Sequence, residues 1–202
     1  MPVEMLKPDQ AGLARAVQLL RQGQVIGFPT DTVYGLAALA ADDRAVRRVY
    51  AVKGRSLSQP LVLMPPPGTN LVRWAHVDRS AAAYLERWWP GPLTVILPAA
   101  AGLKPPLVSA PPCTVGVRIP NDAAALALLG AVGEPLATTS ANRSGLPPAL
   151  IPLDAARLGG LAAVLDGGRV PGGQPSTLLD LTTEPARILR EGPISAAELG
   201  LC

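Results

Sequence analysis

The chain has very few of the residues that build metal and disulfide sites. It contains two cysteines, Cys113 and Cys202, and a single histidine, His76, within 202 residues. The cysteines lie far apart without a Cys-x-x-Cys spacing, so neither a zinc site nor a disulfide framework is indicated. A Ser-His-Asp triad would have to use His76, which stands between Ala75 and Val77 and suits a structural role better.

Aromatic residues, charges and long apolar runs are also scarce. Three tryptophans, three tyrosines and one phenylalanine offer few platforms on which single-stranded nucleic acid could stack its bases. The formal net charge of +3 suits an anionic ligand such as a nucleotide, but it falls short of the dense basic stripes of a dedicated nucleic-acid binder. No apolar run approaches the roughly 18 to 20 residues needed to span a bilayer, and the N-terminus shows no signal pattern. These absences predict a cytoplasmic protein without membrane contact, built as one domain over residues 1–202.

The common fingerprints of nucleotide-binding and hydrolytic enzymes are missing as well. The sequence contains no Walker A pattern, no Gly-x-Gly-x-x-Gly and no Gly-x-Ser-x-Gly elbow. Any enzymatic function must therefore come from another arrangement of residues.

Alternating apolar stretches predict an α/β fold. Helices are predicted at residues 9–23, 42–53, 78–88, 122–129 and 195–199, and strands at residues 25–28, 61–64, 93–97, 114–119, 135–140, 161–165, 177–181 and 186–190. Several strands are continuous apolar runs, which indicates a sheet covered on both faces, and the strand-rich last third indicates mixed pairing. A proline-rich stretch at residues 98–112 is predicted to be a long loop over the same domain. We therefore expect an open mixed sheet flanked by helices.

Two cations stand at the end of the second predicted helix. Val46, Val49 and Tyr50 fall on its inward face, and Lys53 completes the i+7 position on that face. Lys53 is therefore expected to point inward. A cation near a helix C-terminus also compensates the unpaired carbonyls there, so capping alone can explain Lys53 and Arg55.

Polar segments lie at the ends of several predicted elements. They cover residues 30–34, 53–59, 138–145 and 176–177, the last together with Arg190. Open α/β sheets place their binding sites at strand ends. Each segment also has an explanation that needs no ligand: hydroxyl groups can stabilise turns, asparagine and serine suit loops, and Arg190 can form a surface ion pair. The segments therefore indicate a binding site mainly when they are considered together.

As a set, these segments resemble the YrdC/TsaC family of L-threonylcarbamoyladenylate synthases. The matching segments, in family order over nearly the whole chain, are Pro29-Thr30-Asp31-Thr32-Val33-Tyr34-Gly35-Leu36, Lys53-Gly54-Arg55 with Pro60-Leu61, Trp89-Pro90-Gly91-Pro92-Leu93-Thr94, Thr114-Val115-Gly116-Val117-Arg118-Ile119-Pro120, Thr139-Ser140-Ala141-Asn142-Arg143-Ser144-Gly145, Ser176-Thr177 and Ile188-Leu189-Arg190-Glu191-Gly192. The resemblance implies a twisted mixed sheet with a basic central groove. The length resembles the family's single-domain form, without the linker and second domain of longer members.

The resemblance also implies an activity and the residues that serve it. Such a family makes threonylcarbamoyl-AMP and pyrophosphate from L-threonine, bicarbonate and ATP, and no side-chain nucleophile is needed. Catalysis is expected to involve Lys53, Arg55, Ser140 and Asn142, and the Lys53 ammonium is expected to open into the cleft, close to Ser140 and Asn142. The expected ATP contacts are Arg55, Gln59, Thr114, Ser140 and Arg190. The expected threonine contacts are Thr32, Thr138, Ser176 and, as the carboxylate clamp, Arg118.

The resemblance further implies a cofactor and partners. Mg²⁺ is expected to arrive with ATP, because no carboxylate cluster is dedicated to a metal. The product is expected to pass to a threonylcarbamoyl-transferase complex of the TsaD/TsaB/TsaE type that modifies tRNA, with tRNA itself contacted indirectly or weakly.

Two positions depart from the family pattern, and two other functions stay open. Ser56 replaces a frequent proline, and Met64 occupies a position where some members have a threonine-contacting histidine, which leaves the preference for threonine over serine open. RNA binding without catalysis is one alternative. A carbamoyl-transfer domain like that of hydrogenase-maturation proteins is another, although the zinc-finger cysteines of those proteins are absent.

Overall fold

The computed structural model describes residues 3–103 and 113–201. Part of the predicted loop at residues 98–112, from 104 onward, lies outside these ranges. In chain order the elements are β1 (Glu4–Leu6), α1 (Gln10–Arg21), β2 (Ile26–Phe28), β3 (Gly35–Leu39), α2 (Asp43–Lys53), β4 (Val62–Met64), a 3₁₀ turn (Leu71–Arg73), α3 (Arg79–Trp88), β5 (Leu93–Pro98), β6 (Thr114–Val117), α4 (Ala123–Val132), β7 (Leu136–Ser140), α5 (Pro152–Ala156), β8 (Ala163–Leu165), β9 (Thr177–Asp180) and β10 (Arg187–Arg190).

Within the described ranges the strands form one ten-stranded sheet in the order β1-β8-β2-β3-β7-β4-β6-β5-β9-β10. Four neighbouring pairs are parallel, namely β1 with β8, β2 with β8, β4 with β6 and β5 with β9. The other five pairs are antiparallel. The predicted open, mixed α/β sheet is confirmed.

Helices pack on both faces of this sheet, and they cover the two faces unequally. One apolar cluster joins α2, α3 and α5 to inward side chains such as Leu63, Val95 and Leu179. The other cluster joins α1 and α4 to Ile26, Phe28 and their neighbours at the β8-β2-β3 half of the sheet. The strands from β7 to β9 therefore carry an uncovered surface on that second face. No helix in the described part of the chain is long and apolar enough to cross a bilayer.

Helix α2 begins and ends where its sequence predicts. The Asp42 carboxylate accepts hydrogen bonds from the backbone N–H groups of Arg44 and Ala45, which satisfies donors that the first helical turn leaves unpaired. Gly54 ends the helix in the left-handed region, with φ of 65°, a conformation that glycine adopts without steric cost.

Other elements differ from the sequence prediction. Strand β1, strand β3 and helix α5 are additional elements. Strand β3 reads Gly-Leu-Ala-Ala-Leu, which has no β-branched residue to indicate a strand. The helix predicted at residues 195–199 is wrong: this segment forms turns, because one short turn of chain gains too few backbone hydrogen bonds to propagate as a helix.

Candidate active site

An open cleft of about 480 Å³ lies on the uncovered half of the sheet. Its floor comes from side chains that are neighbours across adjacent strands: Val62 pairs with Thr138 and Gly116, and Gly116 pairs with Ile96. Paired residues point to the same face of a sheet, so the strand register alone aligns residues from distant parts of the sequence. The opposite sides of these strands pack into the core, which makes the floor rigid.

Lys53, Ser140 and Asn142 form a compact polar cluster at the end of β7. Its ammonium donates to the Ser140 carbonyl at 2.8 Å, to Ser140 Oγ at 3.0 Å and to Asn142 Oδ1 at 2.6 Å. Ser140 Oγ in turn donates to Asn142 Oδ1 at 2.7 Å. The predicted contact of Lys53 with Ser140 and Asn142 is confirmed, and Ser140 lines the cleft.

The predicted opening of the Lys53 ammonium into the cleft is not observed. Lys53 is 3% exposed, and it is absent from the residues that line the cleft, as is Asn142. The physical reason is that an ammonium has three N–H donors, and the three short contacts to Ser140 and Asn142 use all of them. Lys53 therefore acts on the cleft through Ser140 and through its charge.

Two arginines line the cleft without a carboxylate partner among the described residues. Arg55 donates from Nε to the Gln59 carbonyl at 3.2 Å and from Nη2 to the Pro60 carbonyl at 3.1 Å. Arg190 donates from Nε and Nη2 to the Ser176 carbonyl at 3.1 and 2.8 Å. Backbone carbonyls orient both guanidiniums and leave their positive charges uncompensated.

Gly192 allows the chain after β10 to bring Arg190 to this position. A Cβ atom on Gly192 would lie 2.3 Å from the Thr177 nitrogen and 2.5 Å from the Pro175 oxygen. Only glycine fits against this backbone. The close approach holds the end of β10 against the segment that carries Ser176, the residue to which Arg190 donates.

Arg118 has different surroundings, because its charge is already paired. It is 4% exposed, and its Nη2 donates to Asp31 Oδ1 at 2.6 Å in a buried ion pair. Its Nη1 donates to Thr32 Oγ1 at 3.0 Å, and its Nε donates to the Gly91 carbonyl at 3.1 Å. These bonds account for three of the five guanidinium N–H groups, and Arg118 still lines the cleft.

Buried hydroxyl groups line the cleft between the arginines: Thr32 accepts from Arg118, and Ser176 accepts from Arg190. Thr32, Thr138 and Ser176 are each at most 4% exposed, and all three line the cleft. Thr138 donates to the Val62 carbonyl at 3.0 Å. The hydroxyls of Ser176 and Thr94 share a hydrogen bond of 2.7 Å, so this wall of the cleft has fixed polar groups.

The remaining predicted site residues take separate positions. Thr114 and Met64 line the cleft, and Met64 also packs into the apolar cluster under α1 and α4. Gln59 does not line the cleft. It is exposed, and its backbone carbonyl accepts hydrogen bonds from Arg55 and from the Tyr50 hydroxyl.

The pKa shifts of the cleft cations follow mainly from burial and, for some of them, from neighbouring positive charge. Burial and, to a smaller extent, the charges of Arg55 and Arg190 together lower the pKa of Lys53 to about 8. Loss of hydration likewise lowers the pKa of Arg55 and of Arg190, although Arg190 remains open to solvent, which screens the effect. Burial lowers the pKa of Arg118, whereas Asp31 acts in the opposite direction. The Lys53–Arg55–Arg190 region is thus an electrostatically strained group of cations that an anion would relieve.

No group of three or more His, Cys, Asp or Glu side chains among the described residues is placed to hold a metal ion. Sequence reasoning missed Asp31 and Thr94 as parts of the site. Asp31 could have been found, because it is a carboxylate inside a segment that otherwise predicts a buried interior. Thr94 ends one of the segments that resemble the family, but a threonine in an apolar strand is ordinary and does not by itself indicate a site.

Comparison with known proteins identifies the family. Residues 18–192 match the Sua5/YciO/YrdC family, described as telomere recombination. The threonylcarbamoyl-AMP synthase of Pyrococcus abyssi is 36% identical over 187 residues, covering 91% of this chain and 55% of that protein. That of Bacillus subtilis is 36% identical over 200 residues, covering 96% of this chain and 57% of that protein. The chain thus spans little more than half the length of these two relatives.

Solved structures agree with the sequence comparison. The structure of P. abyssi Sua5 complexed with L-threonine superposes with a TM-score of 0.91 at 32% identity, covering 98% of this chain and 60% of that one. The structure of Escherichia coli YciO superposes with a TM-score of 0.88 at 28% identity, covering 98% of this chain and 99% of that one. The chain therefore belongs to the Sua5/YciO/YrdC family.

Proposed function

We propose that this protein condenses L-threonine, bicarbonate and ATP into L-threonylcarbamoyl-AMP and pyrophosphate. The observation that carries the proposal is the division of one cleft into two ends. Arg55 and Arg190 hold uncompensated charge at one end, and Arg118 with buried hydroxyls forms the other. One end suits a polyanion and the other suits an amino acid. The names of the relatives described above agree with this pairing of ligands.

The phosphates of ATP belong at the Arg55–Arg190 end. Guanidinium groups can hold phosphate oxygens through two parallel hydrogen bonds, and an ammonium adds charge from a distance. Ser140 Oγ is fixed by Lys53 and Asn142, and Ser140 lines the same cleft. It would contact the α-phosphate, where negative charge develops during the reaction. Thr114 lines the same cleft and would contact the nucleotide.

L-Threonine belongs at the Arg118 end. The N–H groups of Arg118 that no described residue uses would bind the substrate carboxylate. Thr32, Thr138 and Ser176 would contact the amino acid, and a wall of buried hydroxyls penalises a ligand that leaves them unpaired. Met64 and Phe28 also line the cleft and would contact the apolar part of the ligand.

The reaction needs alignment and charge more than it needs a covalent intermediate. The threonine nitrogen bonds to the carbon of bicarbonate, and water leaves to give the carbamate. A carbamate oxygen then attacks the α-phosphorus in line, and the bond to the β-phosphate oxygen breaks to release pyrophosphate. The protein contributes by holding the two reactants adjacent and by stabilising the charge that develops.

Mg²⁺ fits this reaction as part of the nucleotide substrate. The part of the chain that the structure describes offers no acidic cluster for it, and the Asp31 carboxylate is engaged by Arg118. The phosphate oxygens and water would supply its ligands. When bound with the nucleotide, the ion would neutralise phosphate charge.

We place this activity in the cytoplasm, in one catalytic domain over residues 1–202. Its product, a mixed anhydride, would be consumed by a threonylcarbamoyl transferase of the TsaD/TsaB/TsaE type that acts on tRNA. Direct contact with tRNA is not required for the chemistry.

The test is to incubate the protein with ATP, Mg²⁺ and bicarbonate, with and without L-threonine, and to measure pyrophosphate. We expect release that depends on both threonine and bicarbonate. Release of pyrophosphate that is indifferent to threonine would contradict the proposed function. Salt-sensitive binding of RNA without any pyrophosphate release would favour a binding module instead.

A further inference from the structure

Asp31 is the one carboxylate that contacts a cleft-lining cation among the described residues. It lies beside the site and does not line the cleft, and its Oδ1 accepts a hydrogen bond of 2.6 Å from Arg118 Nη2. Its Oδ2 is buried and has no hydrogen-bond partner in the described part of the chain. A buried oxygen without a partner is costly, whereas the other oxygen of the same carboxylate pairs with the buried Arg118 charge.

Asp31 gives Arg118 a carboxylate partner that the other two arginines of the cleft lack within the described ranges. Arg190 lies close enough to Arg118 for their charges to interact, and Arg55 and Arg190 have no carboxylate partner among the described residues. Without Asp31, Arg118 would be a third guanidinium in the cleft without a carboxylate partner in the described part of the chain. Asp180 also lines the cleft, but its Oδ1 accepts hydrogen bonds from Thr182 and contacts none of the three arginines. A triphosphate could then bind at Arg118 and occupy the position of the amino acid.

We propose that Asp31 determines specificity by cancelling the charge of Arg118, so that this end of the cleft accepts the carboxylate of a neutral zwitterion and rejects phosphate. This inference rests on the proposed function and adds a residue to it. Asp31 acts through Arg118, and is therefore a positioning residue. Its charge stays inside the ion pair, while the free N–H groups of Arg118 keep the geometry needed to bind one carboxylate.

The choice between the two anions follows from their charges. A phosphate group that approaches Arg118 also meets the negative charge of Asp31, and the repulsion grows with the charge on the phosphate. A zwitterion is repelled less by Asp31, because its ammonium group lies near its carboxylate and is attracted to the Asp31 carboxylate. The result is a specificity device that combines attraction for one ligand with repulsion of the other.

The experiment measures binding of inorganic pyrophosphate by calorimetry to the wild type, to Asp31→Asn and to the charge-retaining control Asp31→Glu. In Asp31→Asn we expect a second pyrophosphate molecule to bind, with an affinity at least about tenfold above any second binding in the wild type. We also expect pyrophosphate to compete with L-threonine in that variant only. Asp31→Glu should behave like the wild type.

A folded Asp31→Asn protein with one pyrophosphate site and no competition would overturn the inference. If that variant does not fold, the wild type decides: saturating pyrophosphate should change the Kd of L-threonine by no more than about twofold, and displacement of threonine would contradict the inference. Because pyrophosphate binding requires no turnover, these results stand apart from the test of the proposed function. If the protein shows the expected pyrophosphate binding but synthesises no threonylcarbamoyl-AMP, the proposed function is wrong and the role of Asp31 in excluding phosphate still holds.

Discussion

The two ends of the cleft hold their cations in opposite ways. Arg118 is buried and paired with Asp31 at 2.6 Å, whereas Arg55 and Arg190 donate to backbone carbonyls and keep their charge. A buried ion pair is stable without a ligand, but its attraction for a further anion is reduced. Clustered cations without counter-ions repel one another, and a bound anion relieves the repulsion. The difference suits one end of the cleft to a polyanion and the other end to a zwitterion.

The largest effect is expected when the group that anchors the charged end is removed. Lys53→Met keeps an unbranched apolar stem and removes the ammonium that holds Ser140 and Asn142. We expect kcat to fall about 100- to 1000-fold, the cost of losing one preorganised group that stabilises developing charge. Threonine-dependent pyrophosphate release measures it.

Arg47→Met is the matched control for Lys53→Met, because Arg47 is exposed on the same helix. It should retain full activity. Circular dichroism should show both variants folded, and a folded Lys53→Met protein within tenfold of the wild-type kcat would separate Lys53 from catalysis.

The next effect separates the two ends directly. Arg190→Ala should weaken binding of a non-hydrolysable ATP analogue about ten- to 100-fold, because charge-assisted hydrogen bonds contribute about 1.5–3 kcal/mol each. The Kd of L-threonine should change by a smaller factor, because Arg190 reaches the proposed threonine contacts only through Ser176. Calorimetry with each ligand alone measures both constants, and Arg187→Ala, an exposed cation on the same strand, is the control. If the affinities for both ligands fell by the same factor, the assignment of the two ligands to separate ends of the cleft would be wrong.

A smaller effect should appear when pH changes the charged end alone. The pKa of Lys53 is lowered, mainly by burial, to about 8, and bound phosphate favours the protonated form. Affinity for the ATP analogue is therefore full below that pKa and is lost as pH rises through it, by about five- to tenfold between pH 7.5 and 9. Arg118 stays protonated throughout. In Lys53→Met this pH dependence should disappear, and its persistence would assign it to another group.

The smallest effect is expected at the apolar wall of the threonine end. Met64 is 5% exposed and lines the cleft. Met64→Leu conserves volume, so the free energy of unfolding should fall by less than about 1.5 kcal/mol. The ratio of threonine to serine turnover should shift by a fewfold, with binding of the ATP analogue unchanged. A shift in ATP binding would show that Met64 contacts the nucleotide end.

Local patterns in the sequence predicted much of the fold. The i, i+3, i+4 spacing of Val46, Val49 and Tyr50, with Gly54 after Lys53, predicted a helix that the structure contains from Asp43 to Lys53. Strand β1 was missed because its three residues are held only by pairing with β8, far along the chain. Pairing between distant segments leaves no periodic signal in a short strand.

Contacts in the site could be predicted where helix periodicity alone fixes the direction of a side chain. They could not be predicted where the order of strands in the sheet brings distant segments together. The inward direction of Lys53 came from helix geometry, and its contacts with Ser140, 87 residues away, agree with it. The Asp31–Arg118 pair also spans 87 residues. It exists because the segment between β2 and β3 meets the end of β6, which neither segment indicates by itself. The burial of the Lys53 ammonium likewise depends on the turn after β7.

The position at which ATP is cleaved tests the central claim most directly. Mass spectrometry of a reaction with ¹³C-bicarbonate, L-threonine, ATP and Mg²⁺ should find labelled threonylcarbamoyl-AMP and an equal amount of pyrophosphate. That result places the attack at the α-phosphate, where Ser140 and the neighbouring cations would stabilise it. Formation of ADP and phosphate, or of AMP without the labelled adduct, would contradict the assignment of the two ends of the cleft.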